Sequence, residues 1–455
     1  MTLQSINPTN GETFATYHEW SPRQVQDEIG RVHEAYLKWR WTSFDDRAAV
    51  MRKAAETLRD NASSYARLMA QEMGKPLCDG IAEAQKCATA CDFYAEHAGH
   101  FLEREYVSTQ ARLSFVTFKP LGVVLAVMPW NFPFWQVFRF AAPNLMAGNA
   151  AVLKHASNVP GCALAIEAVF RNAGFPEHLF RTVMIGSRQV ESVIEDPRVR
   201  AVTLTGSGPA GRAVASKASA MLKKTVLELG GSDPYLVLDD ADIDFAAALS
   251  TKGRLVNSGQ SCIAAKRFIV VDKVRRAFER KFVEHMGAVK VGDPLDENTE
   301  VGPLARQDLR DALHRQVEES VAKGAQLLLG GVVPNTPGAF YPPTVLTDVH
   351  RGMPAYEEEL FGPVASIIPA QDEEQAIAVA NDTVFGLGGG VITQDLARGE
   401  RIAADRIESG MVFVNDTVRS DPRLPFGGVK ESGYGRELSS YGIKEFVNIK
   451  TVVVA

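Results

Sequence analysis

The residue best suited to covalent chemistry is Cys262, which ends the stretch Asn257-Ser258-Gly259-Gln260-Ser261-Cys262. A thiolate is a strong soft nucleophile, but most protein thiols are simply buried as small apolar groups. The Gly-Gln-Ser lead-in favours a turn that exposes the sulfur and nearby backbone N–H groups, and an apolar run, Arg267–Val271, follows shortly after. Catalysis and burial explain this segment equally well, so other residues must decide between them.

Two polar residues follow apolar runs that predict strands. Asn131 lies in Pro129-Trp130-Asn131-Phe132-Pro133, directly after Gly122–Val127. Its amide could donate to a developing oxyanion, although a tight Asx turn is the simpler explanation for the segment alone. Lys154 follows Val152 and Leu153 and could reach a nucleotide phosphate or ribose, or be an ordinary solvated lysine.

A glycine-rich segment and a carboxylate leave two interpretations open. Thr205–Gly211 follows an apolar run, opens a helical pattern and matches G-x-G-x-x-G, with Glu228 about twenty residues further on. A plain Rossmann interpretation assigns Glu228 to a ribose hydroxyl. Yet Leu229-Gly230-Gly231 follows Glu228 at once, and this sharp break would point the carboxylate into a cleft. An isolated glutamate in such a loop is also often just a surface residue.

Composition limits the classes of partner. The 455 residues are 45% hydrophobic and 23% charged, with a net charge of -6, which disfavours nucleic acid and anionic membranes as partners. The first residues lack the basic and apolar regions of a signal peptide. Five cysteines, an odd number, fit reduced thiols in a cytoplasmic protein, and no Cys/His spacing predicts a metal site.

The elements that must position these residues alternate along most of the chain. Residues 22–103 are dominated by helical patterns, and from about residue 112 short apolar runs alternate with helical ones, a pattern typical of doubly wound parallel sheets. A second such series runs from Asp244 to about Val414. The alternating tail Phe446–Val454 and a strand at Arg112–Lys119 predict sheet extension between subunits, and hence a homodimer or homotetramer.

Six blocks together resemble the aldehyde dehydrogenase superfamily, and the resemblance spans nearly the whole chain. Each block is weak alone, but six in this order are specific: Pro129–Pro133, Thr205-Gly206-Ser207, Leu227–Gly231, Gly259–Cys262, Glu359–Val364 and Pro425–Lys430. The resemblance implies an α/β fold with two doubly wound domains and a small β oligomerisation element. It implies a cofactor-binding domain at 1–103 and 120–228, a catalytic domain at 229–424, and bridging strands at 104–119 and 425–455.

The resemblance also implies a role for each candidate residue. Cys262 would attack an aldehyde to form a thiohemiacetal and then a thioester, with Asn131 and the Cys262 N–H as the oxyanion hole. Glu228 would be the general base for the thiol, the deacylating water, or both. The remaining roles concern the cofactor: Gly206 and Ser207 near the pyrophosphate, Lys154 and Glu359 on the riboses, Phe361 beside the nicotinamide, and Trp130 lining the same cleft.

Two further positions bear on cofactor and substrate choice. Where NAD-preferring relatives tend to carry a glutamate, three residues after Lys154, this chain has Ser157, which removes a charge that would repel a 2′-phosphate; we expect NADP, with NAD as the alternative. Arg139 and Ser420 match positions of succinate-semialdehyde dehydrogenases, which implies an aldehyde carrying a carboxylate. Some of those relatives have a second arginine six residues before the nucleophile, where this chain has Val256.

Three alternatives remain open at this stage. With one arginine instead of two, the pocket could accept other semialdehydes or aliphatic aldehydes. A cofactor-free thiol hydrolase could use Cys262 and Glu228, but it leaves the glycine segment and Lys154 without a role. A non-catalytic relative on the same fold is disfavoured because both the nucleophile and the base are present.

Overall fold

The computed structural model of the protein describes residues 2–455. Its strands are β1 (Thr2–Ile6), β2 (Thr13–His18), β3 (Glu105–Tyr106), β4 (Leu113–Pro120), β5 (Val123–Val127), β6 (Ala150–Lys154), β7 (Phe180–Thr182), β8 (Val199–Thr205), β9 (Lys224–Glu228), β10 (Asp233–Val237), β11 (Ala265–Val271), β12 (Gln326–Leu329), β13 (Thr344–Thr347), β14 (Val364–Ala370), β15 (Gly388–Ile392), β16 (Met411–Val414), β17 (Gly433–Tyr434) and β18 (Val447–Val454). Its helices are α1 (Pro22–Trp39), α2 (Phe44–Asp60), α3 (Ala62–Met73), α4 (Leu77–Phe101), α5 (Trp135–Met146), α6 (Pro160–Asn172), α7 (Val190–Glu195), α8 (Gly208–Ala220), α9 (Ile243–Leu255), α10 (Asp272–Gly287), α11 (Gln307–Ala322), α12 (Pro354–Glu357), α13 (Glu373–Asn381), α14 (Leu396–Asp405) and α15 (Ser439–Gly442).

Local sequence explains how the helical N-terminal region begins. Ser21 and Ser43 each form a capping box, in which the serine side chain accepts from the third helical N–H and that residue's side chain accepts from the serine backbone N–H. The hairpin of β1 and β2 was not predicted, because its strands are short and largely exposed and carry no apolar run. Across residues 2–455, no helix has both the length and the apolar character that crossing a membrane requires.

The first large sheet has the order β17-β9-β8-β5-β6-β7. Strands β5 to β9 run parallel, and β17 adds to β9 in the antiparallel direction. Val123 to Ala126 of β5 are completely buried, because connecting helices cover both faces of a parallel sheet. The carboxyl ends of β5, β6, β8 and β9 therefore lie together at one edge, where the loops carrying Asn131, Lys154, Gly206 and Glu228 begin.

The second large sheet has the order β12-β13-β14-β11-β10-β15-β16 and is parallel apart from β12. Its central strand β11 is buried along its whole length, which matches the predicted run Arg267–Val271. These two sheets confirm the predicted α/β fold class with two doubly wound units. Cys262 lies in the loop that enters β11, between the two units.

The smaller sheet has the order β18-β4-β3. The two predicted strands Arg112–Lys119 and Phe446–Val454 pair with each other, from Val447 opposite Pro120 to Val454 opposite Leu113. The segment 425–455 does more than the bridging role predicted for it, because Gly433 and Tyr434 form β17 and complete the first large sheet. The domain boundaries and the pairing between subunits stay predictions.

Candidate active site

A cavity of about 260 Å³ lies where the loops of the two large sheets meet. Its walls come from residues that follow β5, β8 and β9 and from residues that precede β11 and β14. It brings together most of the residues with predicted roles: Cys262, Asn131, Trp130, Gly206, Ser207, Glu359 and Phe361. A larger cavity of about 600 Å³, lined by Lys252, Val256 and Arg419 among others, does not include Cys262. Residue chemistry, not volume, identifies the site.

The turn that presents Cys262 has an unusual backbone. Asn257 and Ser258 have φ values of +54° and +55°, and Gly259 has +76°, all in the left-handed region that non-glycine residues rarely adopt. The Asn257 amide holds this turn by donating to the carbonyl oxygens of Asn131 at 2.8 Å and Gln260 at 3.0 Å. Backbone strain of this kind persists where surrounding contacts fix it, and it is common at active sites.

The environment of the Cys262 sulfur sets its proton affinity. Burial raises the pKa of the thiol to about 12, while the positive charges of Arg139 and Lys266 act in the opposite direction. Lys266 is 1% exposed, and its Nζ donates to the carbonyl oxygens of Ser261 at 2.9 Å and Cys262 at 2.8 Å. The thiol is therefore protonated at neutral pH and must lose its proton before it can attack.

Glu228 ends β9 and is 2% exposed, and neither of its carboxylate oxygens has a hydrogen-bond partner. Burial raises its pKa well above the ordinary value, and the neighbouring Glu437 carboxylate adds to the rise, while Arg139 opposes it. Gly427 packs so closely that a Cβ there would lie 2.8 Å from Glu228 Oε1. Glu228 does not line the cavity around Cys262, so the structure does not bring its carboxylate to the sulfur.

Asn131 lies beside the nucleophile's turn. Its Nδ2 donates to the Gln260 carbonyl oxygen at 3.1 Å, so the side chain reaches across to the Cys262 loop instead of closing a local Asx turn. His155 fixes the same segment, since its Nε2 lies 2.9 Å from the Pro133 carbonyl oxygen and its Nδ1 accepts from the Ala156 N–H at 2.9 Å. Burial lowers the pKa of His155 to about 4, so the ring is neutral and donates through Nε2.

The N-terminus of α8 faces the same cavity. Ser207 is the N-cap residue, but its side chain makes no capping hydrogen bond, and both Gly206 and Ser207 line the cavity. Free N–H groups and the helix dipole at such a terminus favour an anion, as a pyrophosphate requires. This confirms that the glycine-rich segment follows a strand and opens a helix.

The other predicted cofactor residues divide between the cavity and the edge of the sheet. Glu359 accepts from the Gly231 N–H at 3.1 Å and lies 3.3 Å from Lys266 Nζ, and Phe361 packs edge-to-face on Trp130 with ring centroids 5.7 Å apart. Lys154 ends β6 and is buried, whereas Ser157 is exposed in the loop before α6. Lys154 and Ser157 do not line the cavity itself. An aromatic wall, the Glu359 carboxylate and a helix N-terminus in the cavity, with Lys154 at the end of β6, together suit a dinucleotide.

The two residues predicted to bind substrate make contacts of their own. Arg139, on α5, is 1% exposed; it forms an ion pair with Glu437, and its guanidinium carbon lies 4.2 Å from the centre of the Phe426 ring. Ser420 is buried, and its Oγ accepts from Lys86 Nζ at 2.7 Å. The Arg139 charge is thus already matched by a carboxylate within the chain.

Three residues with structural roles at the site have no local sequence motif: Glu83, Lys86 and Lys266. Glu83, on α4, accepts from the N–H groups of Phe134 and Trp135 at 2.8 and 2.9 Å, which caps α5, and it also forms an ion pair with Lys75. The one available signal is that Glu83 lies on the apolar face of α4 with Ala84, Cys87 and Cys91, where a lone carboxylate requires a partner.

Comparison with known proteins gives a consistent result. The model of the aldehyde dehydrogenase family matches residues 1–452. Succinate-semialdehyde dehydrogenase (NADP(+)) 1 of Mycobacterium tuberculosis is 49% identical over 458 residues. Succinate-semialdehyde dehydrogenase (NADP(+)) of Mycobacterium leprae is also 49% identical over 458 residues. Each alignment covers 100% of both chains. The crystal structure of succinic semialdehyde dehydrogenase from Streptococcus pyogenes in complex with NADP+ superposes with a TM-score of 0.97 at 38% identity, covering 99% of both chains.

Proposed function

Because this chain belongs to the aldehyde dehydrogenase family, we propose that it oxidises succinate semialdehyde to succinate with NADP. The observation that carries the proposal is one cavity that gathers a cysteine, a side-chain amide and a free helix N-terminus. Full-length relatives named as NADP-dependent succinate-semialdehyde dehydrogenases support the choice of substrate and cofactor.

The first half of the reaction forms an acyl group on sulfur. The Cys262 thiol passes its proton to Glu228 or to water, a loss that the positive charges of Arg139 and Lys266 favour, and the sulfur adds to the aldehyde carbon. The carbonyl π electrons move to oxygen, where the Asn131 amide and the Cys262 N–H would donate hydrogen bonds to the negative charge. When bound, NADP would supply the acceptor for the hydride of this carbon, which leaves a thioester on Cys262.

The second half returns the enzyme to its starting state. A water molecule must attack the thioester carbon, so that the carbon–sulfur bond breaks and the Cys262 thiolate leaves. We assign Glu228 to accept the proton of that water, because a buried carboxylate with a raised pKa and two free oxygens is a competent base. The carboxylate must turn from its position beside Gly427 to do so.

The residues around the cavity fit a dinucleotide, and one position favours NADP. Ser207 and Gly206 would hold the pyrophosphate, Lys154 and Glu359 the riboses, and Trp130 and Phe361 the nicotinamide side of the cavity. Ser157 is exposed beyond β6 and adds no negative charge that would repel a 2′-phosphate.

A substrate-by-cofactor matrix tests the proposal. Initial rates of NADPH or NADH formation are measured with succinate semialdehyde, glutarate semialdehyde and butanal, each with NADP and NAD, and with Cys262→Ala as the inactive control. We expect the highest kcat/KM for succinate semialdehyde with NADP. Equal kcat/KM for butanal would refute a carboxylate-selective enzyme, and residual activity in Cys262→Ala would refute the assignment of the nucleophile.

We also propose a homodimer or homotetramer that works in the cytoplasm. All five cysteines have free thiols in the described chain, three of them buried, which suits a reducing compartment. The outer strand β18 leaves Ile449, Val453 and Val454 exposed at the edge of the small sheet, where another subunit could extend it. Light scattering on the purified protein measures the assembly, and a monomer would refute this part.

A further inference from the structure

Lys86 is a second cation next to the predicted substrate residues. It lies on α4, and its Nζ donates to Ser420 Oγ at 2.7 Å and lies 4.4 Å from the centre of the Trp135 ring. Trp135 is the first residue of α5, four residues after Asn131. Lys86 is thus held between the loop that carries Ser420 and the start of the helix that follows the Asn131 turn.

The Lys86 charge has no carboxylate partner within the chain. Among residues 2–455, no carboxylate oxygen lies within ion-pair distance of its Nζ, although the side chain is half-buried. The nearest acidic groups have other partners, since Glu83 pairs with Lys75 and Asp421 with Arg423 at 2.6 Å. An ammonium group withdrawn from water without a counter-ion is costly, and a bound anion would remove that cost.

Arg139, unlike Lys86, has a carboxylate partner within the chain. Its ion pair with Glu437 already matches its charge. The available positive charge of this region therefore resides on the lysine, beside a serine hydroxyl that can also donate. The Lys86 ammonium and the Ser420 hydroxyl, 2.7 Å apart, can both donate to one carboxylate, and together they form a candidate carboxylate site.

We propose that Lys86, with Ser420, binds the carboxylate of the substrate and sets the preference of this enzyme for semialdehydes over uncharged aldehydes. This inference rests on the proposed function. Arg139, which pairs with Glu437, also lowers the pKa of both Glu228 and Glu437.

The pKa of Lys86 makes carboxylate binding at this site depend on pH. Burial and the nearby Arg139 charge lower the pKa to about 8, and Cys87, Glu83 and Asp421 act in the opposite direction. As the pH rises through this value, the free enzyme loses the ammonium charge and should bind a carboxylate less well. Both kcat/KM values depend in the same way on the ionisation of Cys262. The ratio of kcat/KM for succinate semialdehyde to that for butanal therefore removes this shared effect.

The test compares Lys86→Met with Lys86→Arg and with Lys53→Met, a control at an exposed lysine. In Lys86→Met we expect kcat/KM for succinate semialdehyde to fall about 10- to 100-fold through a higher KM, as loss of a hydrogen-bonded charge predicts, while butanal changes less than about twofold. Lys86→Arg should retain most of the preference. In the wild type, the ratio of the two kcat/KM values should fall above about pH 8, and in Lys86→Met it should be flat.

The outcomes separate this inference from the proposed function. A wild type that prefers succinate semialdehyde, with a preference that Lys86→Met leaves unchanged, overturns the role of Lys86 and leaves the function standing. Equal losses for both substrates also overturn it, because they indicate a structural role. A wild type without any preference for semialdehydes refutes both. Melting curves of each variant identify a folding defect. If Lys86→Met has such a defect, the role of Lys86 is decided by the substrate preference of Lys86→Arg and by the pH dependence of the wild-type ratio of kcat/KM values.

Discussion

Replacing Lys266 by methionine should both destabilise the protein and make Cys262 less reactive. Lys266 is buried and donates to the carbonyl oxygens of Ser261, Cys262 and, at 3.3 Å, Ala264, and it lies 3.3 Å from Glu359. Methionine has a similar length but no donor, so these acceptors and the half-buried Glu359 carboxylate would lose their partner. A buried polar group left without its partner typically costs about 1–3 kcal/mol, which should lower the melting temperature clearly.

The effect on reactivity follows from charge. The thiol pKa is about 12, and Lys266 is among the groups that lower it, so its removal should raise the pKa further. Below the pKa, each unit of increase reduces the thiolate fraction about tenfold, so a higher pKa leaves less thiolate at every pH. Alkylation by iodoacetamide, followed from pH 7 upwards, should therefore be slower in Lys266→Met at each pH, because only the thiolate reacts.

The assay needs a clean background and a matched control. Cys78 is exposed and would also react, so each protein should carry Cys78→Ser, whereas Cys87, Cys91 and Cys162 are buried. Lys273→Met is the control, because its side chain is 70% exposed and its ion pair with Asp239, at 3.5 Å, is worth less than about 1 kcal/mol. Unchanged alkylation rates and melting temperature in Lys266→Met would refute the role given to this lysine.

Three other substitutions test separate parts of the site. Asn131→Ala should lower kcat for NADPH formation about 10²- to 10³-fold, because an oxyanion donor is lost; a change of less than about threefold would contradict that role. Ser157→Glu should lower the NADP/NAD ratio of kcat/KM at least about tenfold, and an unchanged ratio would refute the assignment of this position. Glu83→Gln should lower the melting temperature, since Lys75 is left buried without its anion, whereas the exposed control Glu96→Gln should not.

The sequence predicted the two sheets because their strands are buried runs. Helices lie on both sides of each sheet, so Val123–Val127 contains no polar residue and Phe268–Val271 is a continuous apolar run, and both stand out without an alternating pattern. The Cys262 turn was also predictable, since Gly and small polar residues precede it. The position of the cavity follows from the common edge of the parallel strands, because the loops at this edge meet however far apart they lie along the chain.

Pairings between distant charged side chains could not be predicted. Lys86 and Ser420 are 334 residues apart, and the ion pair of Arg139 with Glu437 likewise joins remote segments. Sequence identified Arg139 as a cation for the substrate, but it could not indicate that a buried carboxylate already faces it. In the same way, sequence identified Glu228 but not its position beside Gly427, because a side-chain rotamer depends on what packs around it.

The most direct measurement is the mass of the peptide that contains Cys262 during turnover. Glu228→Gln is mixed with succinate semialdehyde and NADP, quenched with acid and digested, while NADPH is followed in parallel. We expect about one NADPH per active site and a succinyl group on Cys262, because acylation proceeds and the slowed hydrolysis lets the thioester accumulate. NADPH formation without any acyl group on Cys262 would contradict the account.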